Sequence, residues 1–237
     1  MKLFLLFSLY FLVGCATKYI VPSNRFLTPE SQGEAFRGQF EFQQTKGNQL
    51  TVNTSSGNAD EGVLYSDISR AGFLYSTSLF DQFDFYWSHT GSANSMLGGK
   101  FQFLGSSRST KGAGHKMSIA LAFGGNEHET DDKSVEFELS GKEVMLLYGY
   151  RFNEFVLPYA SFSYAVYDFK GKVYSSDPVL NGLEPSMSTT VMSANGGIEV
   201  SMDPFFAKLE ANYQQLQTND TKDKNNFSFG YSLGLSW

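Results

Sequence analysis

The chain's whole stock of imidazole is three histidines, His89, His115 and His128. His128 stands among Glu127, Glu129, Asp131 and Asp132. Carboxylates around an imidazole can form an acid/base cluster or a weak site for a divalent cation. A solvated acidic loop accounts for the same residues without chemistry, and it is the simpler reading. Ser88-His89 sets a hydroxyl beside an imidazole, the start of a nucleophile-and-base pair. No third member with a recognisable spacing joins it, and a histidine at an interface needs no catalysis to explain it. The chain has no P-loop, no dinucleotide fingerprint and no Cys/His metal spacing, so no catalytic residue, metal or cofactor is expected.

The elements that would carry these side chains have a period of two, which is the strand period. The last segment shows it without a break. Phe227, Phe229, Tyr231, Leu233, Leu235 and Trp237 lie on one face, and Ser228, Gly230, Ser232, Gly234 and Ser236 lie on the other. Similar alternation runs from Phe36 to Gln43, Ala71 to Leu79, Phe83 to Trp87, Leu97 to Phe103 and Met117 to Phe123. It continues through Val144 to Phe152, Val156 to Val166, Thr190 to Met202 and Phe205 to Tyr213. Near Ser140-Gly141 the phase changes, as a bulge or an outward hairpin extension would make it do. The expected count is roughly ten strands, with an error of about two either way. Tight links at Asp81-Gln82, Asn153-Glu154 and Asp203-Pro204 alternate with longer connections rich in Asp, Glu, Ser, Asn and Gly. Ser106 to Gly114 breaks that rule, being Ser/Gly/Lys-rich where a short turn is due.

Composition narrows the class. Aromatics make up 16% of the chain, with 23 Phe, yet the mean hydropathy is −0.24, so apolar and polar residues must be interleaved. The net charge of −6 argues against a nucleic-acid partner. No long apolar run follows the N-terminal one, so no transmembrane helix is expected. The run from Leu3 to Val13, after Lys2, has the layout of a secretory signal and is too short to span a bilayer comfortably. Leu12-Val13-Gly14-Cys15 resembles the lipobox of bacterial lipoproteins. That resemblance implies a signal peptide over 1–14 and acylation (palmitate among the acyl chains) of Cys15 as the mature N-terminus. Ala16 is not the inner-membrane retention Asp, which implies the outer membrane. Cys15 is the only cysteine, so the mature chain has no intrachain disulfide. Residues 15–34 are polar, contain Pro22 and Pro29, and read as a lipid-anchored tether before a barrel over 35–237.

Two features turn alternation into a membrane reading. The polar face is rich in Gly, Ser, Ala and Asn, which suits a small packed lumen better than a solvated exterior. Aromatics gather near strand ends, where interface girdles sit. The final strand, carrying Phe229, Tyr231, Leu233, Leu235 and Trp237, also resembles the C-terminal assembly signal of outer-membrane proteins. The fold expected is all-β: one transmembrane antiparallel up-and-down β-barrel with both termini, and the lipid, on the periplasmic side. Its lumen face would carry Arg37, Glu41, Arg70, Asp84, Lys100, Lys116, Arg151, Glu199, Lys208 and Glu210, which must pair to be buried.

Barrels of about eight strands are filled by side chains and open channels appear near 16, so a plugged or narrowly wet lumen is expected rather than a wide porin. Three functional classes remain. A structural or surface-interaction barrel is favoured by the hydrophilic stretch Thr54 to Glu61, which lacks aromatic anchors. A narrow conduit for small solutes is the second. The third is a rim-active enzyme, a lipid hydrolase or a protease resembling the ten-stranded omptins, although no omptin motif is present. Outer-membrane lipid and the barrel assembly machinery are the expected partners, with a surface or periplasmic protein partner unspecified.

Overall fold

A computed structural model describes residues 23–52, 63–90, 95–129, 135–174, 181–182, 184, 186–218 and 221–237. Ten strands follow one another: β1 Gly38–Val52, β2 Val63–Phe80, β3 Phe83–Thr90, β4 Ser95–Leu104, β5 Gly114–Glu129, β6 Val135–Arg151, β7 Val156–Val173, β8 Ser186–Met202, β9 Phe205–Thr218 and β10 Thr221–Ser236. Each pairs with its chain neighbours, and β1 closes on β10 from Gln39↔Ser236 to Gly47↔Ser228. Closure leaves no strand edge, which a hydrocarbon environment would penalise by several kcal/mol per unpaired group.

The barrel is inside-out relative to a soluble one. On β10, Phe227, Phe229, Tyr231, Leu233, Leu235 and Trp237 point outward with 45% to 60% of their surface exposed, while Ser228 and Ser232 are buried within. Phe123, Leu121, Leu146, Phe162, Leu209 and Phe205 extend the outward belt around the wall. In water that belt would leave many large apolar side chains uncovered at about 25 cal/mol per Å². In lipid it is the solvated face. This is a transmembrane antiparallel β-barrel.

Toward the loop end the polarity of the two faces exchanges. β6 keeps strict alternation and an unbroken register against β5 from Gly114↔Arg151 to Glu129↔Glu136. Its outward residues there are Glu138, Ser140 and Lys142, and Leu139 faces in. On β7, Asp168, Lys170 and Lys172 take the outward phase, with Tyr167 and Phe169 buried opposite. Of the two causes expected for the phase change at Ser140-Gly141, the bulge is therefore absent and the outward extension of the hairpin agrees with the unbroken register. The backbone phase is constant, and the hydrophobic pattern switches because the strands leave the lipid and close an apolar inner core. Leu139, Met145, Tyr167, Phe169, Val191 and Leu216 belong to that core.

Two further expectations change. Residues 23–33, read as part of a tether outside the body, are buried inside the barrel. The long turn between β4 and β5 contains a 3-10 turn at Arg108–Thr110 that folds under the lumen, with Arg108 buried. Its Ser/Gly/Lys-rich length is what allows this. The signal region, Cys15, Thr54 to Glu61, Asp131, Asp132 and the side chain of His128 lie outside the described residues.

Candidate functional site

The chemistry of this molecule is concentrated in its lumen. The N-terminal segment enters at the short-turn end, where Gly33 N donates to Ser78 Oγ at 3.0 Å and Ser31 Oγ donates to Asp81 O at 2.5 Å. A left-handed backbone at Gly33, φ 101°, lets the chain turn into the mouth. From there it rises to Asn24, whose amide donates to Glu210 O at 3.1 Å.

The wall grips the main chain of this segment with side chains. Glu210 accepts from Arg25 N at 2.9 Å and from Phe26 N at 3.0 Å. Lys208 Nζ donates to Phe26 O at 2.7 Å, and Lys100 Nζ donates to Thr28 O at 3.2 Å and Glu30 O at 2.5 Å. Ser118 Oγ donates to Pro29 O. Gln102 accepts from Ser31 N at 2.6 Å, and Asp84 accepts from Gln32 N at 3.0 Å. A segment with no strand partner thus has nine of its backbone N–H and C=O groups bonded by wall side chains, as burial demands.

The charges form a balanced network. Glu30 binds Arg151 through both oxygens, at 2.6 Å from Nε and 2.5 Å from Nη2, and lies 3.5 Å from Lys116 Nζ. Arg151 also reaches Glu199 at 3.2 Å, and Glu199 holds Arg108 at 2.8 Å. Lys208 pairs with Glu41 at 2.9 Å, Lys100 with Asp84 at 3.0 Å, and Arg25 with Glu143 at 2.7 Å. The buried cations are Arg25, Lys100, Arg108, Lys116, Arg151 and Lys208; the buried carboxylates are Glu30, Glu41, Asp84, Glu143, Glu199 and Glu210. Among the described residues that is six against six, and the N-terminal segment supplies one charge of each sign, Arg25 and Glu30.

Of the expected lumen charges, Glu41, Asp84, Lys100, Lys116, Arg151, Glu199, Lys208 and Glu210 come together in this network. Arg70 is half-buried on β2. Arg37 is a correction. It precedes the first ladder pair and pairs outside the mouth with Glu34 at 3.2 Å, with half its side chain exposed. Reasoning from alternation missed Arg25, Glu30, Arg108 and Glu143. For Glu143 the signal was present, since it shares a phase with Met145 and Leu147; for Arg108 the only hint was an overlong turn.

The histidines do not gather. His89 faces outward, its ring centroid 5.5 Å from that of Phe73 and tilted by 34°, with Nδ1 2.9 Å from Ser95 Oγ and not on Ser88. His115 contacts Tyr148 OH at 2.8 Å on the outer wall. No metal-holding group of His, Cys, Asp and Glu occurs among the described residues.

No protein-family model matches the chain, and no curated protein matches it by sequence. Among solved structures it is similar to Ail, the attachment invasion locus protein of Yersinia pestis, at 12% identity and TM-score 0.42, covering 86% of this chain and 100% of that one. It is also similar to Neisserial surface protein A at 11% identity and TM-score 0.39, covering 85% and 97%. The outer membrane protease OmpT of Escherichia coli follows at 8% identity and TM-score 0.42, covering 89% and 99%. The likeness is one of barrel architecture; attachment and proteolysis are said of those proteins.

Proposed function

We propose that this chain is an outer-membrane β-barrel lipoprotein, acylated at Cys15, with a structural or surface-interaction role and a lumen that does not conduct. One observation carries the reading. The space a solute would cross is occupied by residues 23–33 and by the twelve buried charges named above, among the described residues. A supporting observation lies at the loop end, where β6 and β7 present opposite charges across their outer face, Glu138↔Lys170 and Glu136↔Lys172. That water-facing sheet suits contact with a surface partner, while the apolar belt suits outer-membrane lipid. The C-terminal strand suits recognition by the barrel assembly machinery.

An inner-leaflet anchor follows from a tether outside the barrel, and residues 23–33 are not outside it. Acylation of Cys15, without an assigned leaflet, is what the residues support. The test is conductance. The purified full chain in planar bilayers gives no stepwise current; reproducible unitary currents would favour the narrow conduit instead. Hydrolysis of phospholipid or peptide that is lost on His89→Ala would favour the rim enzyme.

A further inference from the structure

A lumen can be filled by bulky side chains from its own strands. This one is filled by a stretch of main chain, and the wall is built to read it. Side chains of β2, β3, β4, β5 and β9 hydrogen-bond the backbone of Arg25, Phe26, Thr28, Pro29, Glu30, Ser31, Gln32 and Gly33. Such contacts recognise a peptide by its main chain, whatever its side chains.

Two charge pockets and two gaps then add sequence. Arg25 enters an acidic pocket formed by Glu143, with its Nη2 donating to Tyr167 OH at 3.2 Å. Five residues on, Glu30 enters a basic pocket formed by Arg151 and Lys116. A Cβ added at Gly230 would stand 2.5 Å from the Phe26 ring, and one at Gly149 would stand 2.9 Å from Pro29 Cγ. Glycine at those wall positions makes the room that Phe26 and Pro29 occupy. Charge matches at Arg25 and Glu30, shape at Phe26 and Pro29, and main-chain polarity at eight of the eleven residues, which is how a binding site meets its ligand rather than how a core meets filler.

We infer that the lumen is a peptide-binding site, occupied in cis by Ser23–Gly33, and that it takes the same peptide in trans once that segment is displaced. The ligand class is a peptide without regular secondary structure, bent by a left-handed residue at the position of Phe26 (φ 54°), with a basic residue five positions ahead of an acidic one. Held in cis, the segment acts at an effective concentration of about millimolar, so a free peptide competes only when the covalent copy is spoiled.

The test uses the full chain carrying Arg25→Glu and Glu30→Arg, folded in detergent micelles. Reversed charges would sit against Glu143 and Glu210 at one pocket and Arg151 and Lys116 at the other, so the segment cannot seat. A fluorescent peptide of the native sequence from Ser23 to Gly33 then binds this variant saturably. A peptide with the two charges exchanged binds at least about tenfold more weakly, a loss of about 1.4 kcal/mol or more. The wild-type chain, already occupied, binds neither. If the variant does not fold alone, refolding in excess native peptide restores the heat-modifiable barrel, and the exchanged peptide does not. The inference is overturned if the folded variant binds neither peptide or both equally, or if refolding is not rescued selectively by the native one. None of these outcomes depends on lipidation, on the outer membrane or on conductance.

Discussion

Glu30 and Arg151 lie 121 residues apart in sequence and meet in a two-point contact, with Nε at 2.6 Å and Nη2 at 2.5 Å from the two carboxylate oxygens. One partner belongs to the N-terminal segment and the other to the short-turn end of β6, so the pair ties the filling of the barrel to its wall. Both are buried. Removing one charge strands the other in a poorly solvated place, which costs about 3–5 kcal/mol. Glu30→Gln leaves Arg151 with Glu199 alone and is expected to lower stability to urea in micelles by an amount of that order. Arg151→Ala is expected to cost at least as much, since it weakens two carboxylates at once, leaving Glu30 to Lys116 and Glu199 to Arg108. A loss in both variants below about 0.5 kcal/mol, typical of surface changes, would mean the pair does not stabilise the fold.

The belt and the filled lumen give a labelling pattern. In a Cys15→Ser background, single cysteines at Leu121, Leu146 and Leu233 are expected to react with a lipid-soluble maleimide and resist a water-soluble one. Each of those side chains is outward and exposed. Cysteines at Ser118 and Ser228 are expected to resist both, because Ser118 bonds Pro29 O and Ser228 bonds Asn24 inside the lumen. A cysteine at Lys170, outward on β7 beyond the belt, is expected to react with the water-soluble reagent. Free labelling at Ser118 and Ser228 would show that water fills the lumen.

How far the sequence carried this picture depends on whether a residue sits on a ladder. A strand writes its exposure as a period of two, so ten strands, three tight links and the outward faces of Leu121, Leu146 and Leu233 were legible. The period is blind to depth, however. At Ser140-Gly141 it could not separate a bulge from an outward hairpin extension, because the hydrophobic face changed sides while the backbone did not. It is blind also to chain that is buried without pairing. Arg25 and Glu30 lie in a stretch satisfied by side chains from several strands, a pattern with no period, and with two prolines nearby it read as a tether. Arg37 erred the other way: it keeps the inward phase of Gln39 and Glu41, but it stands one residue before β1, at a mouth open to water.

The N-terminal motif makes a separate prediction. If Leu12-Val13-Gly14-Cys15 is a lipobox, Cys15→Ser abolishes incorporation of labelled palmitate and leaves uncleaved precursor, detected as a mass shift of the intact chain. Unchanged processing in that variant would remove the lipoprotein reading and leave the barrel reading as it stands.

The last prediction concerns the seam. Trp237 N donates to Gly38 O at 3.0 Å and Gly38 N donates to Trp237 O at 3.2 Å, so the terminal residue completes the pairing of β10 with β1 at its lower end. Its ring lies 6.0 Å from that of Tyr75 and is half exposed on the outer wall, where an aromatic suits the boundary between lipid and water. A Cβ at Gly38 would come within 2.7 Å of the indole, so β1 carries a glycine where the ring passes over it. Trp237→Asp keeps the backbone pair but puts a carboxylate at the edge of the hydrocarbon and removes the ring contact. Its cost falls toward about 0–1 kcal/mol at the interface, too little by itself to unfold a closed barrel. A strong effect in cells would therefore report recognition during assembly rather than lost stability. Trp237→Asp is expected to reduce the amount of heat-modifiable barrel in outer-membrane fractions several-fold, while the same variant refolds in micelles nearly as well as wild type. Trp237→Phe is expected to behave normally in both. Equal losses in cells and in micelles would assign the residue to seam stability alone, and unchanged levels in cells would count against an assembly signal at this terminus.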